Sequence, residues 1–516
     1  MAYSILIKNG IVIDGTGTPP KKADVGISGN YIKDIGDLSG SSADKVIDAS
    51  GKFVTPGFVD LTNHSDTYAT IFSNPSQDSM IRQGVTTSLF GNCGESLAPI
   101  VKKETLLALN KWVTASEINL DWNSMSEYYK ALADLRPGVN IATLVGHETL
   151  RRNVASPDEM VLLLESAMVQ GAWGLSSNFS FSNWGDALPE TTTLLKLVKR
   201  FNGLYKIHLR DEGKNFLPSV ASLIDIARIT GVRTVISHIK AIGKSSWGDF
   251  VKALRMIGLA KESDMEIYFD FFPYMRTGSM LINLLPSWAR EGGDNLILKR
   301  ISDPSDAARI INELKAITLH ADRIFIASAK TDKKIVGKTL AEISLKVSMS
   351  PEEVILEILK INSLNVTFFG KTIVGKNLIL ASYHKDSVLA SDGAGYDLNF
   401  QNAGNLVHPR SFGAYPRFFS VLAPKAKLKP EEAILKMTSL PAKILGLNDR
   451  GKLSKNFLAD IAVFDELSFR DKATYKDPYR FPEGMKCVIV NGSVAYEEGS
   501  EQIERKGIIL KKNINA

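Results

Sequence analysis

The chain has 516 residues, 44% hydrophobic and 23% charged, the balance of an ordinary globular protein too long for one simple core. Its 62 basic and 56 acidic residues leave a net charge of +6, and the densest basic piece, Arg505 to Lys512, carries no interleaved aromatics, so no nucleic-acid partner is expected. No run reaches the roughly 20 apolar residues of a membrane span, the N-terminus lacks the basic segment and apolar core of a signal peptide, and two cysteines make no disulfide framework; the expectation is a cytoplasmic enzyme acting on a small molecule.

In chain order, residues 1–54 alternate in the manner of short strands. Ile5 to Lys8 and Ile11 to Asp14 flank Asn9-Gly10, and Val25 to Ser28 and Tyr31 to Ile35 flank Gly29-Asn30; both read as hairpins because the turn residues tolerate positive φ. At the far end, Ala459 to Asp465 and Cys487 to Val490 are strand-like, and Asn491-Gly492 offers another hairpin turn. Neither β region is large enough to bury a core alone. The expectation is one small β-sandwich domain built from residues 1–54 and 446–516, flanking a central domain over residues 55–445.

Inside that central part the pattern changes. Val59 and Leu89 lie in apolar runs, and Ile141 to Gly146, Gly174 to Ser177, Leu204 to His208, Thr234 to His238, Glu266 to Phe272 and Ser387 to Asp392 follow, making eight strand candidates. Helical segments separate most of them: Asn74 to Gln83, Ser156 to Gln170, Phe216 to Ile229 and Ser246 to Glu262. Ser156-Pro157-Asp158-Glu159 and Ser350-Pro351-Glu352-Glu353 each combine a capping serine, a first-turn proline and a glutamate three residues after the cap. Eight β/α alternations give an α/β fold, a (β/α)₈ TIM-like barrel. Residues from about 286 to 378 are too many for a loop between its last two strands, and read as an inserted lid subdomain over the C-terminal rim.

Seven histidines occur in the chain. His64, His147, His208 and His238 fall at or just after strand ends, as do Cys93 and Asp392. Taken singly each has an ordinary explanation: a core cysteine, a rim histidine, an Asp-Gly turn. A closed parallel barrel brings its strand ends to one face, so the joint placement points to a metal centre, and thiolate, imidazole and carboxylate suit zinc.

Several runs then match a known family in order, from about residue 5 to 495: Pro-Gly-Phe-Val-Asp, Gln-Gly-Val-Thr-Thr, Gly-Asn-Cys-Gly, Val-Gly-His, His-Leu-Arg-Asp-Glu, Ser-His-Ile-Lys, Ser-Asp-Gly, His-Pro-Arg, Lys-Met-Thr-Ser-Leu-Pro-Ala and Ala-Asp-Ile-Ala-Val-Phe-Asp. The chain resembles the N-acyl-D-amino-acid deacylase (D-aminoacylase) branch of the amidohydrolase superfamily, whose metal-dependent hydrolase barrels cleave amides with a metal-activated water. Gly-Asn-Cys-Gly is the specific motif, separating this branch from relatives that bridge two metals with a carbamylated lysine. The resemblance implies that Cys93, His208 and His238 hold a tightly bound zinc and that Asp392 is general base and then acid. It also implies that Lys240, Tyr274 and Arg410 recognise the substrate carboxylate. Lys240, two residues from His238, shares its face on an extended chain. His147 either faces substrate, supports the ligands from behind or is a structural rim residue, and Asp211 and Glu212 could orient ligands.

Two departures stand out. The family's first strand normally ends in His-x-His; here His64 keeps the second position, but Thr62 stands at the first. Threonine is a poor zinc ligand, so a second metal site sharing Cys93, His64 and Asp392 is expected to be weak or empty. Phe181 stands where relatives often carry a tyrosine near the substrate carboxylate. The expected activity is zinc-dependent hydrolysis of N-acyl amino acids of D configuration. The rivals are a related hydrolase acting on a cyclic amide or dipeptide-like compound, and a catalytically weakened barrel kept as a binding protein.

Overall fold

The structure, a computed structural model, describes residues 2–103, 105, 121–178, 184–316 and 319–513. Eight short parallel strands form its centre: β1 (Phe58–Asp60), β2 (Val85–Phe90), β3 (Asn140–Thr143, continued by Val145–Gly146), β4 (Gly174–Asn178), β5 (Leu204–His208), β6 (Arg233–Ile236), β7 (Ile267–Phe271) and β8 (Ser387–Leu389). Each pairs in parallel with its neighbour in sequence. The ring closes where Asn63 bridges Gly393, with His64 N donating to Gly393 O at 2.8 Å and Asp392 N to Thr62 O at 2.9 Å. Helices follow the strands, among them Pro157–Val169 after β3, Phe216–Thr230 after β5 and Asp249–Glu262 after β6. Ser156 and Glu159 close a capping box on the first of these, and Ser350 with Glu353 does so on Pro351–Ile361, satisfying backbone N–H groups that a helix start leaves open.

The barrel is filled in layers. Side chains two apart on a strand share a face, and Leu204, Lys206 and His208 rise from the base to the rim on β5. The base is apolar: Val59, Leu61, Leu89, Ala142, Leu204, Val235 and Val388 pack there against Ile444 and Leu445 of the helix Ser439–Leu445. Above them the layer turns polar, with Thr62, Lys206 and Asp270 all fully buried. The chemistry sits on top of that layer, because the strands end there: β6 stops at Ile236 and β8 at Leu389, leaving His238 and Asp392 on the loops just beyond.

Both ends of the chain share one eight-stranded sheet. Phe53–Pro56 is its seam, lying parallel to the end of the first strand, Ala2–Val12, and antiparallel to Ile461–Phe464. Gly29-Asn30 and Asn491-Gly492 are hairpin turns as expected. Asn9-Gly10 is not. Ala2–Val12 runs straight through it, with a bulge between Ile7 and Gly10. Asn9 takes positive φ there and donates its N–H to Asp24 Oδ1 at 2.8 Å. A Cβ on Gly10 would collide with Val54, so the Asn-Gly signal marks a close approach inside a strand instead of a reversal. The helix expected over Asn74 to Gln83 is likewise two short pieces, Thr70–Ser73 and Asp78–Ile81, split where Gln77 adopts a left-handed conformation.

Between β7 and β8, the strands Arg276–Met280, Ile324–Ala329 and Val366–Lys371 form a separate antiparallel sheet. With the surrounding helices they enclose a core of their own, including Leu281, Ile310, Ile326, Leu340 and Leu359.

Candidate active site

The loop after β2 is folded tightly around Cys93. Gly91, Cys93 and Gly94 all have positive φ, and a Cβ on Gly91 would collide with Leu144 O, so only glycine fits there. Gly91 N donates to Asp66 Oδ2 at 2.7 Å, and Asn92 Nδ2 to Leu89 O at 2.7 Å and Asn63 O at 3.1 Å. Burial opposes a charge on Cys93, but the His238 imidazole and hydrogen bonds from His208, His238 and His64 hold its thiol well below the usual range. A thiolate is the form that binds metal.

Cys93, His208 and His238 are the group of metal-capable side chains found among the described residues, their ligand atoms lying within 4.8 Å of one another. Cys93 Sγ is 3.3 Å from His238 Nε2, which is 3.1 Å from His208 Nδ1. Zinc bonds of about 2.3 Å to sulfur and about 2.0 Å to nitrogen, set tetrahedrally, ask for donors roughly 3.3–3.6 Å apart. The trio therefore fits zinc in kind and spacing. Burial and Lys240 work against a charge on His238, but Asp392 and Cys93 outweigh them and raise it to about 9.

Behind His238, Lys240 Nζ lies 2.5 Å from Glu212 Oε1 and 2.9 Å from His238 Nδ1. Glu212 also lies 3.5 Å from His238 Nδ1 and 3.9 Å from His208 Nε2. Burial would raise its pKa, yet Lys240 and the two histidines bring it to about 2. Lys240 is the nearest partner of His238 Nδ1, and Glu212 sits behind both rings, so the pair fixes how the two imidazoles face the cluster. Glu212 thus belongs to the site's frame, and Lys240 is engaged with that frame.

Across the site, His64 Nε2 is 3.1 Å from Asp392 Oδ1, and Arg410 Nη1 donates to Asp392 Oδ2. Burial opposes the charge on Asp392, but Arg410, His238 and His64 hold it well below the carboxylate range. Burial likewise opposes a charge on His64, and the bonds to Asp392 and Cys93 raise it well above its ordinary value. Cys93, His238 and Asp392 all sit at positive φ, 55°, 37° and 50°, a region that costs non-glycine residues on the order of 1–3 kcal/mol each. Ser391 pins the last of these by donating Oγ to Asp60 Oδ2 at 2.5 Å.

Thr62 does not reach the metal cluster. Its hydroxyl donates to Asp270 Oδ2 at 2.8 Å and accepts from Lys206 Nζ at 2.6 Å. Tyr274 is buried, with its hydroxyl 3.4 Å from Pro409 O and its ring edge-on to His408. His147 is fully buried, 3.2 Å from Ser177 Oγ and 2.7 Å from Glu190 Oε1, and is not one of the clustered donors. Phe181 lies outside the described residues. Lys206 and Asp270 were missed in the sequence; the available signal was a charged residue in the middle of an apolar strand, in step with His208 on β5 and between Phe269 and Phe271 on β7.

A cavity of about 240 Å³ opens between this face and the inserted sheet. Asp392 and Arg410 line one wall, and Tyr68, Phe368, Phe369, Tyr396 and Phe400 line much of the rest. Arg410 Nε is buried with no hydrogen-bond partner. A thiolate and two imidazoles at the strand ends of a (β/α)₈ barrel define a metal-dependent hydrolase barrel.

The sequence profile of the amidohydrolase family matches residues 45–194 and 389–496. An N-acyl-D-glutamate deacylase of Alcaligenes xylosoxydans xylosoxydans is 30% identical over 99% of this chain and 96% of its own. The solved N-acyl-D-glutamate deacylase from Bordetella bronchiseptica, complexed with zinc and a phosphonate mimic of the tetrahedral intermediate, superposes with a TM-score of 0.82 at 27% identity, over 99% of this chain and 100% of its own. A D-aminoacylase, described as activated by one metal and attenuated by a second, also superposes at 0.82 with 29% identity and the same coverage. The chain belongs to the amidohydrolase family, in its N-acyl-D-amino-acid deacylase branch.

Proposed function

We propose that this protein is a zinc hydrolase that removes the acyl group from N-acyl-D-amino acids. The observation that carries the reading is the Cys93–His208–His238 cluster with the ionised Asp392 held beside it. Those three residues would hold one zinc, which when bound supplies Lewis acidity and activates water near neutral pH. Asp392 takes the proton of the attacking water and delivers it to the departing amine, which an amide needs in order to break. His64 and Arg410 hold that carboxylate in place from either side. Arg410 lines the cavity beside Asp392, and its planar guanidinium is suited to clamp a substrate carboxylate. Tyr274 reaches Pro409 O, next to Arg410, from behind, while Lys240 and Glu212 back the His238 ring on the opposite side. A cytoplasmic location fits a working thiolate, since thiols are kept reduced there.

The zinc-loaded protein is expected to hydrolyse N-acetyl-D-amino acids at least tenfold better than their L enantiomers and to leave cyclic amides intact; a zinc-loaded preparation that hydrolyses no N-acyl-D-amino acid counts against the proposal. The cavity narrows the substrate further. Among the described lining residues Arg410 is the one permanently charged cation, and His408 is kept neutral by burial and by Arg410. With Arg410 on the α-carboxylate, a second carboxylate would meet aromatic rings and no counter-charge. N-Acetyl-D-leucine and N-acetyl-D-phenylalanine should therefore exceed N-acetyl-D-glutamate in kcat/KM by roughly tenfold or more, at about 1.4 kcal/mol per factor of ten. A preference for the glutamate derivative in the same assay would place a cation that this assignment lacks.

A further inference from the structure

The middle layer of the barrel carries a cation of its own. Lys206 Nζ donates to Leu61 O at 2.7 Å, Thr62 Oγ1 at 2.6 Å and Asp270 Oδ2 at 2.7 Å. Three ammonium protons meet three acceptors, so the group is saturated. The other oxygen of Asp270 accepts the His238 N–H at 2.6 Å. Lys206, Thr62, Leu61 and Asp270 are all fully buried, directly beneath the ends of β1, β5 and β7.

We propose that the Lys206 ammonium, by hydrogen-bonding the side chain at position 62 in the buried layer, limits this protein to one metal by construction. The inference rests on the single-zinc reading above and adds its cause. A second metal sharing Cys93, His64 and Asp392 would take its remaining protein ligand from position 62. That position's side chain is held down in the buried layer by the ammonium and its Asp270 partner, and is not free to turn toward a metal above it. Threonine at position 62 and the lysine beneath it thus act together: one offers no metal ligand, the other holds whatever stands there in the buried layer. Attenuation by excess metal, the behaviour described for the D-aminoacylase above, should be missing here.

The test counts metal directly, by equilibrium dialysis against zinc with elemental analysis, and by the visible absorption of the cobalt form. Wild type should saturate at one ion per chain. Thr62→His, which retains the Lys206–Asp270 pair, should still hold one. Thr62→His combined with Lys206→Met should hold two, and only in that variant should excess zinc change the rate. Two ions in wild type or in Thr62→His overturn the inference, as does a single ion in a folded double variant. The Thr62→His result decides the matter should the double variant fail to fold. A wild-type chain that binds no zinc overturns the metal reading itself, an outcome distinct from binding two.

Discussion

Asp392→Asn is expected to lower kcat by roughly 10³-fold while the zinc-loaded protein keeps its metal. The size follows from what general acid–base groups contribute, about 10²- to 10⁴-fold, and from the role of this one carboxylate in both proton transfers. Asparagine preserves the shape, offers an amide oxygen to one of Arg410 and His64 and an NH2 to the other, and cannot take up the proton. The loss therefore falls on the chemical step, with KM changed far less than kcat. Steady-state kinetics on protein of measured zinc content separates this from simple metal loss. A variant with one zinc per chain and kcat within threefold of wild type would remove Asp392 from the mechanism.

Asp270→Ala has the largest expected effect on stability, about 3–5 kcal/mol, the cost of removing one partner from a buried ion pair. The carboxylate is fully buried, serves the Lys206 ammonium and the Thr62 hydroxyl through one oxygen, and holds the His238 backbone through the other. Alanine leaves an ammonium without its counter-charge in the centre of the barrel. Denaturant unfolding of metal-free wild type and variant isolates this from stabilisation by bound zinc. Unfolding midpoints that coincide would show that the triad carries no net stability. Asp270→Asn, which keeps an acceptor on one side only and loses the charge, should fall between wild type and the alanine variant.

The barrel was legible because buried parallel strands read as short apolar runs, and because those runs end on residues rarely placed there by chance. Leu204 to His208 matches β5 end to end, and Cys93, His208 and His238 stood out at strand ends together with His64, His147 and Asp392, the family resemblance then singling out the three. The interior polar layer was not legible. A lysine or an aspartate inside an apolar strand has no meaning until its partner is known, and Lys206 and Asp270 are 64 positions apart. Lys240 shows the same limit from another side: spacing places it near His238, but only the fold supplies Glu212 to occupy it. Asn9-Gly10 failed as a hairpin because local turn preference was outweighed by pairing on both flanks of one long strand, to Lys21–Ser28 on one side and Ser42–Asp48 on the other.

The terminal sheet has a consequence for synthesis. Phe53–Pro56 pairs with Ile461–Phe464, Val54 opposite Val463, and roughly 400 residues separate the two partners. At a translation rate of about 5–20 residues per second, the first strand waits from about 20 to about 80 s for its neighbour to leave the ribosome. Throughout that interval its apolar edge is an open template for the wrong strand, in this chain or in another. The barrel between the two halves can close in the meantime. That edge is therefore the place to look for chaperone contact and for aggregation when expression is fast.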